Sequence, residues 1–314
     1  MSKKPLIILT GPTAVGKTAA SIRLAKAVNG EIVSADSMQI YRYMDVGTAK
    51  IRREEMQGVP HHLIDEIAPD TSFHVYEFKR MAERCMDGIY SRGQSPIVVG
   101  GTGFSIQALL YYVEFCEEEP DRGYREELAR LADEKGAVYL HQKLREVDAD
   151  AAADIHPNNV KRVIRALEYY RGTGAPISAH NRAQRQRESP YRFLYFVLTM
   201  DRSELYRRID GRVEKMFESG LLEEFQMLLE KGYRREMTSM QAIGYRELFA
   251  YADGQISLDE AKEQIKRDTR HFAKRQLTWF RREREVIFLD RGQYDNEAAL
   301  VDDIIRRAEG KQII

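Results

Sequence analysis

Eight residues near the start of the chain have the types and spacing of a phosphate-binding loop. They match the pattern G-x-x-x-x-G-K-[ST] and are Gly11, Pro12, Thr13, Ala14, Val15, Gly16, Lys17 and Thr18. Glycines so placed let backbone N–H groups turn toward phosphate oxygens, and the start of a helix adds favourable partial charge. Lys17 would reach the outer phosphate, and the Thr18 hydroxyl is a candidate ligand for Mg²⁺. A chance glycine turn is the alternative, but the strand pattern before the motif and the helical pattern after it favour a polyphosphate site.

A second set of candidate groups follows two further strand-like segments. Asp36, Ser37, Met38 and Gln39 come directly after Glu31–Ser34, and a glycine turn containing Thr102 follows Pro96–Val99. Ligands bind at the carboxyl ends of parallel strands, so we expect Asp36 to face the phosphate site. A carboxylate there suits a general base acting on an acceptor group, or a magnesium ligand. A turn-capping aspartate is the alternative.

The elements that must position these residues follow from the spacing of apolar residues. Short continuous apolar strands alternate with helical patterns at 17–28 and 76–90, which indicates an α/β fold with a parallel sheet covered on both faces. Strand patterns return at 191–200 and 286–289. We expect these later strands to rejoin the first sheet.

The segment 117–190 has a different character, since it contains no strand-like run and is rich in Ala, Arg and Glu. Its clearest helix begins after Asn158 and has an apolar stripe formed by Val160, Val163, Ile164, Leu167 and Tyr170. We therefore predict a helical insertion at 117–190 in a core formed by 1–116 and 191–314. A long basic helix is predicted from about Leu258 to Arg284, where Lys266, Arg270 and Lys274 at i,i+4 spacing form a positive stripe that is a candidate track for an RNA backbone.

Composition excludes several classes of protein. The 314 residues are 43% hydrophobic and 31% charged, which is typical of a globular rather than a disordered chain. The apolar runs are too short for a membrane span or a secretory signal, so we expect no membrane partner. Cys85 and Cys116 are too few for a disulfide framework and suit a cytoplasmic protein, which we expect to be a monomer. With 49 Lys+Arg against 49 Asp+Glu, nucleic acid could bind only at a local basic surface.

Further motifs run in a fixed order over nearly the whole chain. They are Asp36-Ser-Met-Gln-Ile-Tyr41, Val46-Gly-Thr-Ala-Lys50, Val59-Pro-His-His-Leu-Ile-Asp65, Val99-Gly-Gly-Thr-Gly103, Ile155-His-Pro-Asn-Asn159, Lys161-Arg-Val-Ile-Arg-Ala-Leu-Glu168, Gln241-Ala-Ile-Gly-Tyr245 and Lys274-Arg-Gln-Leu-Thr-Trp279. With these motifs the chain resembles the tRNA dimethylallyltransferase (isopentenyl-tRNA transferase) family. It departs from the usual pattern of that family at Val15, at Phe104-Ser105 and at Ala149.

The resemblance implies transfer of a dimethylallyl group from dimethylallyl diphosphate to the exocyclic amine of the adenine just 3′ of a tRNA anticodon. It also implies a P-loop NTPase-like core with an all-helical insertion that grips the anticodon stem-loop. In this reaction the diphosphate leaves as a carbon–oxygen bond breaks, so the loop at 11–18 and Mg²⁺ would stabilise the charge on the departing oxygen. The strand at 96–99 ends in glycines and lacks the magnesium-binding Asp that is typical of ATPases. Because no phosphoryl group moves in the implied reaction, such an Asp is not required.

The candidate site follows from these assignments. Lys17, Thr18 and Asp36 are the expected catalytic residues, with Asp36 as the base that takes the proton of the amine. The three residues after Asp36 are expected to contact the base and Thr102 the RNA. Arg208 and Arg212 share one helical face and are both candidates to reach the diphosphate, and Arg212 is the one that we assign to it together with the loop at 11–18.

Contacts to the tRNA are also expected from the insertion. The candidates are Arg125, near its start, and Lys161, Arg162, Val163, Ile164 and Arg165 on its clearest helix. A solvated charged face is the alternative interpretation of such a basic helix.

Two other functions share some of these features. An ATP-dependent small-molecule or nucleotide kinase would use the same phosphate loop and an aspartate base on its acceptor. A nucleotide-gated RNA-binding protein without chemistry would use the loop and the basic helices but would need no base at Asp36.

Overall fold

Six parallel strands form one sheet in this computed structural model, which describes residues 3–111, 121–185 and 187–314. The strands are β1 (Lys4–Thr10), β2 (Gly30–Ser34), β3 (His61–His62), β4 (Ser95–Gly100), β5 (Tyr191–Thr199) and β6 (Val286–Asp290). They lie in the order β3-β2-β4-β1-β5-β6, and every neighbouring pair is parallel. The predicted α/β class is confirmed, and the two late strands do rejoin the first sheet. The two-residue strand β3 was not predicted.

Helices cover the sheet and form most of the remaining chain. They are α1 (Lys17–Ala27), α2 (Val75–Ser91), α3 (Gly103–Leu110), α4 (Arg122–Lys135), α5 (Ala137–Val147), α6 (Ala149–Asp154), α7 (Val160–Thr173), α8 (Ile177–Arg185), α9 (Arg202–Glu218), α10 (Leu221–Glu230), α11 (Tyr245–Ala252), α12 (Leu258–Phe280) and α13 (Glu297–Gly310). The basic helix α12 begins with a capping box at Ser257 and Glu260. It ends at Phe280, four residues before the predicted end, because the chain turns at Arg281 toward β6.

The sheet's central strands are apolar on both faces because helices bury both faces. Leu6, Ile7, Ile8 and Leu9 of β1 are each at most 1% exposed. In the register of the sheet, Thr10 at the end of β1 lies beside Gly100 of β4 and Val197 of β5. The loops that follow these strands therefore leave the sheet side by side, at its carboxyl edge.

The chain divides into two compact units, one of residues 1–110 and 190–314 and the other of residues 111–189. The second unit contains α4 to α8 and has a core of its own, which includes Leu140, Leu144, Val163 and Leu167. The predicted start of the insertion at 117 lies outside the described residues, as does Cys116.

A third core cluster packs α10, α11 and α12 against the segment that follows β2. Ile40, Tyr41 and Met44 from that segment are buried together with Phe225 and Tyr245. The residues after Asp36 are thus anchored to helices that lie far along the chain. In the described part of the chain, each helix is too short or too polar to cross a membrane.

Candidate active site

The phosphate loop connects β1 to α1 and depends on two glycines with unusual backbone angles. Gly16 caps α1 with φ 93°, and Gly11 has φ 145°. A Cβ on Gly11 would lie 2.5 Å from the carbonyl oxygen of Leu198 in β5, so a side chain there would collide with the sheet. Val15 is fully buried and packs into the core of the sheet, so it contributes only backbone groups to the loop.

Lys17 folds back over the loop in the structure. Its Nζ donates hydrogen bonds to the carbonyl oxygens of Gly11 at 3.0 Å and Pro12 at 2.8 Å. Burial and the neighbouring Arg212 lower the pKa of Lys17 to about 8, and the opposing effect of Asp36 is smaller. Two carbonyl oxygens are weak partners for an ammonium group, so a phosphate oxygen would be a stronger one.

Arg212 on α9 reaches the same place. Its Nη1 donates to the hydroxyl of Thr13 at 3.2 Å. Burial lowers the pKa of Arg212, and the negative charge of Asp36 opposes this shift. Lys17, Arg212 and Asp36 therefore lie close enough to influence one another, although they come from three distant parts of the chain. Two cations and one carboxylate converge on the phosphate loop.

Asp36 follows β2, at the carboxyl edge of the sheet, as predicted. Its Oδ1 accepts the backbone N–H of Met38 at 2.9 Å, so the turn-capping contact is present. Oδ2 accepts no hydrogen bond from the residues that the structure describes. One oxygen therefore fixes the orientation of the carboxylate, and the other can accept a proton.

Thr18 is exposed in the first turn of α1, where its hydroxyl can reach a ligand held by the loop. The described residues contain no group of three or more His, Cys, Asp or Glu side chains that could hold a metal ion. Mg²⁺ commonly needs only one or two protein oxygens, and phosphate and water supply the other ligands. The Thr18 hydroxyl and the Asp36 carboxylate are oxygen donors of this kind, so the residues fit such an ion.

A glutamine that the sequence did not suggest joins the two glycine turns. Gln276 of α12 accepts the Thr13 N–H at 3.0 Å and donates to the carbonyl oxygen of Gly101 at 2.9 Å. A Cβ on Gly101 would lie 2.2 Å from Nε2 of Gln276, and one on Gly103 would meet the Trp279 ring at 2.2 Å. The close approach of α12 therefore requires the glycines of the second turn. The available signal was that Gln276 stands inside the motif at 274–279.

Comparisons with known proteins agree with this geometry. The family model described as IPP transferase matches residues 39–283. The chain is 55% identical over 311 residues to a tRNA dimethylallyltransferase from Lachnoclostridium phytofermentans, covering 99% of both chains. The chain belongs to the IPP transferase family. The prediction of a tRNA prenyltransferase is thereby confirmed, and the kinase alternative is set aside.

Other relatives and solved structures of the family agree over the whole chain. A tRNA dimethylallyltransferase from Acetivibrio thermocellus is 48% identical over 95% of this chain and 96% of its own. The tRNA isopentenylpyrophosphate transferase of Bacillus halodurans has a TM-score of 0.75 at 44% identity, covering 99% and 97% of the two chains. A eukaryotic dimethylallyltransferase acting on tRNA has a TM-score of 0.82 at 28% identity, covering 98% of this chain and 80% of its own. The match to these solved structures confirms the P-loop NTPase-like core.

In this member of the IPP transferase family, the other residues expected near the base have distinct surroundings. Ser37, Met38 and Gln39 are half-buried, and Met38 packs against the cluster formed by α10 to α12. Thr102 directly precedes α3, and its carbonyl oxygen accepts the N–H of Ser105 at 3.1 Å. Their contacts with a base or RNA stay predictions.

Helix α7 of the second unit presents an exposed basic face. Lys161, Arg162 and Arg165 are exposed and form no ion pair with the described residues. Val163 is fully buried in the core of its unit, so its side chain cannot contact tRNA, and Ile164 is half-buried against the same core. These two apolar residues position the cationic ones.

Two arginines that were candidates for binding substrate form ion pairs within their own units. They are Arg125, expected to contact tRNA, and Arg208, a candidate for the diphosphate. Arg125 pairs with Glu168 of α7 at 2.7 Å, which ties α4 to α7. Arg208 pairs with Glu204 at 2.8 Å instead of joining Arg212 at the phosphate loop. Arg212 of the same helix reaches Thr13 of the phosphate loop, and contact of Arg208 with the diphosphate stays a prediction.

The predicted positive stripe on α12 is largely neutralised. Lys266 is 14% exposed and pairs with Glu214 and Glu263, each at 2.6 Å. Arg270 pairs with Asp210 of α9 at 2.7 Å. Of the three predicted cations only Lys274 is exposed without an ion pair to the described residues. Two of the three charges therefore hold α12 to α9 and are less available to RNA, and an RNA contact along this stripe stays a prediction.

Proposed function

We propose that the chain transfers a dimethylallyl group from dimethylallyl diphosphate to the exocyclic amine of the adenine just 3′ of a tRNA anticodon. The observation that carries this proposal is the convergence of Lys17, Arg212 and Asp36 on one phosphate loop. Cations beside a carboxylate suit a reaction in which a diphosphate leaves while an acceptor loses a proton.

The bond changes balance without another reactant. The lone pair of the amine nitrogen forms a bond to the first carbon of the dimethylallyl group, and the bond from that carbon to the diphosphate oxygen breaks. The bonding electron pair leaves with the diphosphate, and one amine proton passes to Asp36. Oδ1 of Asp36 is held by the Met38 N–H, so Oδ2 is the oxygen that we assign as proton acceptor.

Lys17 and Arg212 act on the leaving group in this scheme. Lys17 exchanges its two carbonyl partners for phosphate oxygens when the diphosphate binds, and Arg212 adds a second cation from α9. Backbone N–H groups at the start of α1 contribute further donors. The N–H of Thr13 is already bonded to Gln276, so we assign it to holding the loop and not to the diphosphate.

We assign magnesium binding to the Thr18 hydroxyl. Mg²⁺ would supply Lewis-acid stabilisation of the negative charge on the departing diphosphate. We assign binding of the anticodon stem-loop to the exposed cations of α7, because cations that form no ion pair within the described ranges are available to phosphates. An enzyme that acts on tRNA would work in the cytoplasm.

A transfer assay tests the proposed function. The protein is incubated with unmodified tRNA and either labelled dimethylallyl diphosphate or γ-labelled ATP. We expect label from the diphosphate donor on the adenine 3′ of the anticodon, and none from ATP. Label from ATP without prenyl transfer, or tRNA binding without either reaction, would contradict the proposal.

A further inference from the structure

The carboxylate of Glu224, on α10, binds a loop that is far from it in sequence. Its Oε2 accepts the backbone N–H groups of Asp45 at 2.7 Å and Val46 at 2.8 Å. Its Oε1 accepts the N–H of Gly47 at 2.9 Å and the hydroxyl of Tyr245 at 2.6 Å. Four donors converge on one carboxylate, which makes this a strong and directional contact.

Tyr245 of α11 holds the same loop. We call Glu224 and Tyr245 together the clamp. A Cβ on Gly47 would lie 2.4 Å from the Tyr245 ring, so the loop can approach the ring only because it has glycine there. Tyr245 is fully buried, and burial together with Glu224 raises the pKa of its hydroxyl well above the usual value. The hydroxyl therefore stays protonated and donates to Glu224.

The far end of the loop is held in a strained conformation. Ala49 has φ 46°, in the left-handed region that non-glycine residues rarely adopt. The next residue, Lys50, is almost completely buried, and its Nζ donates to the carbonyl oxygen of Tyr41 and to Asp45, each at 2.6 Å. Contacts at both ends thus fix the direction of the carbonyl groups between them.

Those carbonyl groups orient the side chain of Gln39, which we expect to contact the adenine. Nε2 of Gln39 donates to the carbonyl oxygens of Thr48 and Ala49, each at 3.4 Å. Each bond is long, but only the amide nitrogen can face two carbonyl oxygens, so the pair sets the orientation of the amide. Oε1 of Gln39 accepts no hydrogen bond from the described residues and points along the other branch of the amide.

We propose that Glu224 and Tyr245 are positioning residues that hold Gln39 with its oxygen toward the base, and that this selects adenine over a purine with an oxygen at C6. The inference rests on the proposed function. The exocyclic amine of adenine is the donor on its edge that an amide oxygen can accept. A 6-oxo purine would place its own oxygen against Oε1 of Gln39, leaving both acceptors unpaired.

Competition binding of two anticodon stem-loops tests the inference. They carry adenosine or inosine just 3′ of the anticodon, so the two bases differ at C6 and in the proton on N1. We expect the natural protein to prefer the adenosine stem-loop by about tenfold or more. Glu224→Gln places an NH₂ group against backbone donors, so the loop and the Gln39 amide shift, and the preference should fall at least threefold. The matched control is Glu223→Gln, an exposed neighbour on α10 that should keep the preference.

The readout separates positioning from a purely structural role. If Glu224 only stabilises the fold, Glu224→Gln lowers the melting temperature but leaves the adenosine preference of the folded protein unchanged, and the inference is overturned. Tyr245→Phe provides a milder second variant, because it removes one donor and keeps the three loop contacts. We expect a smaller loss of preference, with affinity for inorganic diphosphate kept in both variants.

The same experiment distinguishes this inference from the proposed function. The natural protein is first assayed for prenyl transfer to the adenosine stem-loop. Absence of transfer would contradict the proposed function. Transfer together with an unchanged preference in Glu224→Gln would overturn only the role of the clamp.

Discussion

The positive charges of this protein occur in two contrasting settings. At the phosphate loop, Lys17 and Arg212 are half-buried and converge on one point, and Arg212 lowers the pKa of Lys17. On α7, Lys161, Arg162 and Arg165 are exposed and spread along a helix. Buried cations act strongly on one ligand, whereas exposed cations act weakly and are screened by salt. We therefore expect the cations at the phosphate loop to act on the chemical step and those on α7 to act on tRNA affinity.

The largest effect should come from the carboxylate beside the buried cations. Asp36→Asn keeps the shape of the side chain but removes the proton acceptor, so turnover should fall by about 100-fold or more. Single-turnover prenyl transfer measures it, with tRNA affinity expected to change little. Asp70→Asn, at an exposed position, is the control. Undiminished turnover in the Asp36 variant would remove Asp36 as the base.

Loss of a buried cation should come next. Lys17→Met removes the ammonium group that we assign to the diphosphate, and turnover should fall by about 100-fold. Affinity for inorganic diphosphate should fall as well, while affinity for tRNA is kept. Calorimetry with diphosphate measures the first quantity and filter binding the second. Equal losses of diphosphate affinity and tRNA affinity would contradict the distinction between the phosphate-loop cations and the α7 cations.

Binding of diphosphate at the phosphate loop should also depend on pH. Since the pKa of Lys17 in the empty site is about 8, the protonated fraction and with it the affinity for diphosphate should fall about tenfold between pH 7 and pH 9. The unfolded chain keeps this lysine protonated up to about 10.5, so the same group makes unfolding less favourable as pH rises over that interval. Diphosphate titrations across pH 7–10 check the first statement. Lys17→Met should flatten the profile, and a profile unchanged by that substitution would contradict the assignment.

The exposed cations should have smaller and salt-dependent effects. Replacing Arg162 and Arg165 by Ala should weaken tRNA binding about tenfold and lower the salt slope by about 1.5. Turnover at saturating tRNA should remain. Arg130→Ala and Arg145→Ala together, on the neighbouring helices α4 and α5, give a control of equal charge. An unchanged slope in the α7 variant would refute phosphate contact there.

The smallest effect is expected on α12, whose basic residues resemble those of α7 in the sequence. Lys266→Met should change tRNA affinity by less than about twofold, because that charge is already paired with Glu214 and Glu263. Its contribution should appear in the free energy of unfolding, at about 1 kcal/mol or less. Chemical denaturation and filter binding measure the two effects. A marked loss of tRNA binding would contradict this expectation and identify α12 as an RNA surface.

Much of the core could be predicted because its signals are local. The strand before Gly11 appears as a continuous apolar run, and the helix after Lys17 appears as helical spacing of apolar residues. The glycines of the loop mark positions whose backbone conformation other residues rarely adopt. The placement of Asp36 at the carboxyl edge followed from the general topology of parallel sheets. By contrast, Gln276 and Glu224 could not be assigned roles, because Thr13 lies 263 residues from Gln276 and the backbone donors at 45–47 lie 177 to 179 residues from Glu224.

The sequence by itself therefore determined the class of fold, the phosphate loop and the family, since each depends on residue types in short, ordered segments. Only the tertiary structure decided which cations are available. Lys161 and Lys266 have the same charge and both stand on basic helices, yet the first is exposed and the second lies between two glutamates. Packing of α9 against α12 makes that difference, because ion pairing depends on distances of a few ångströms between elements that the sequence does not place together.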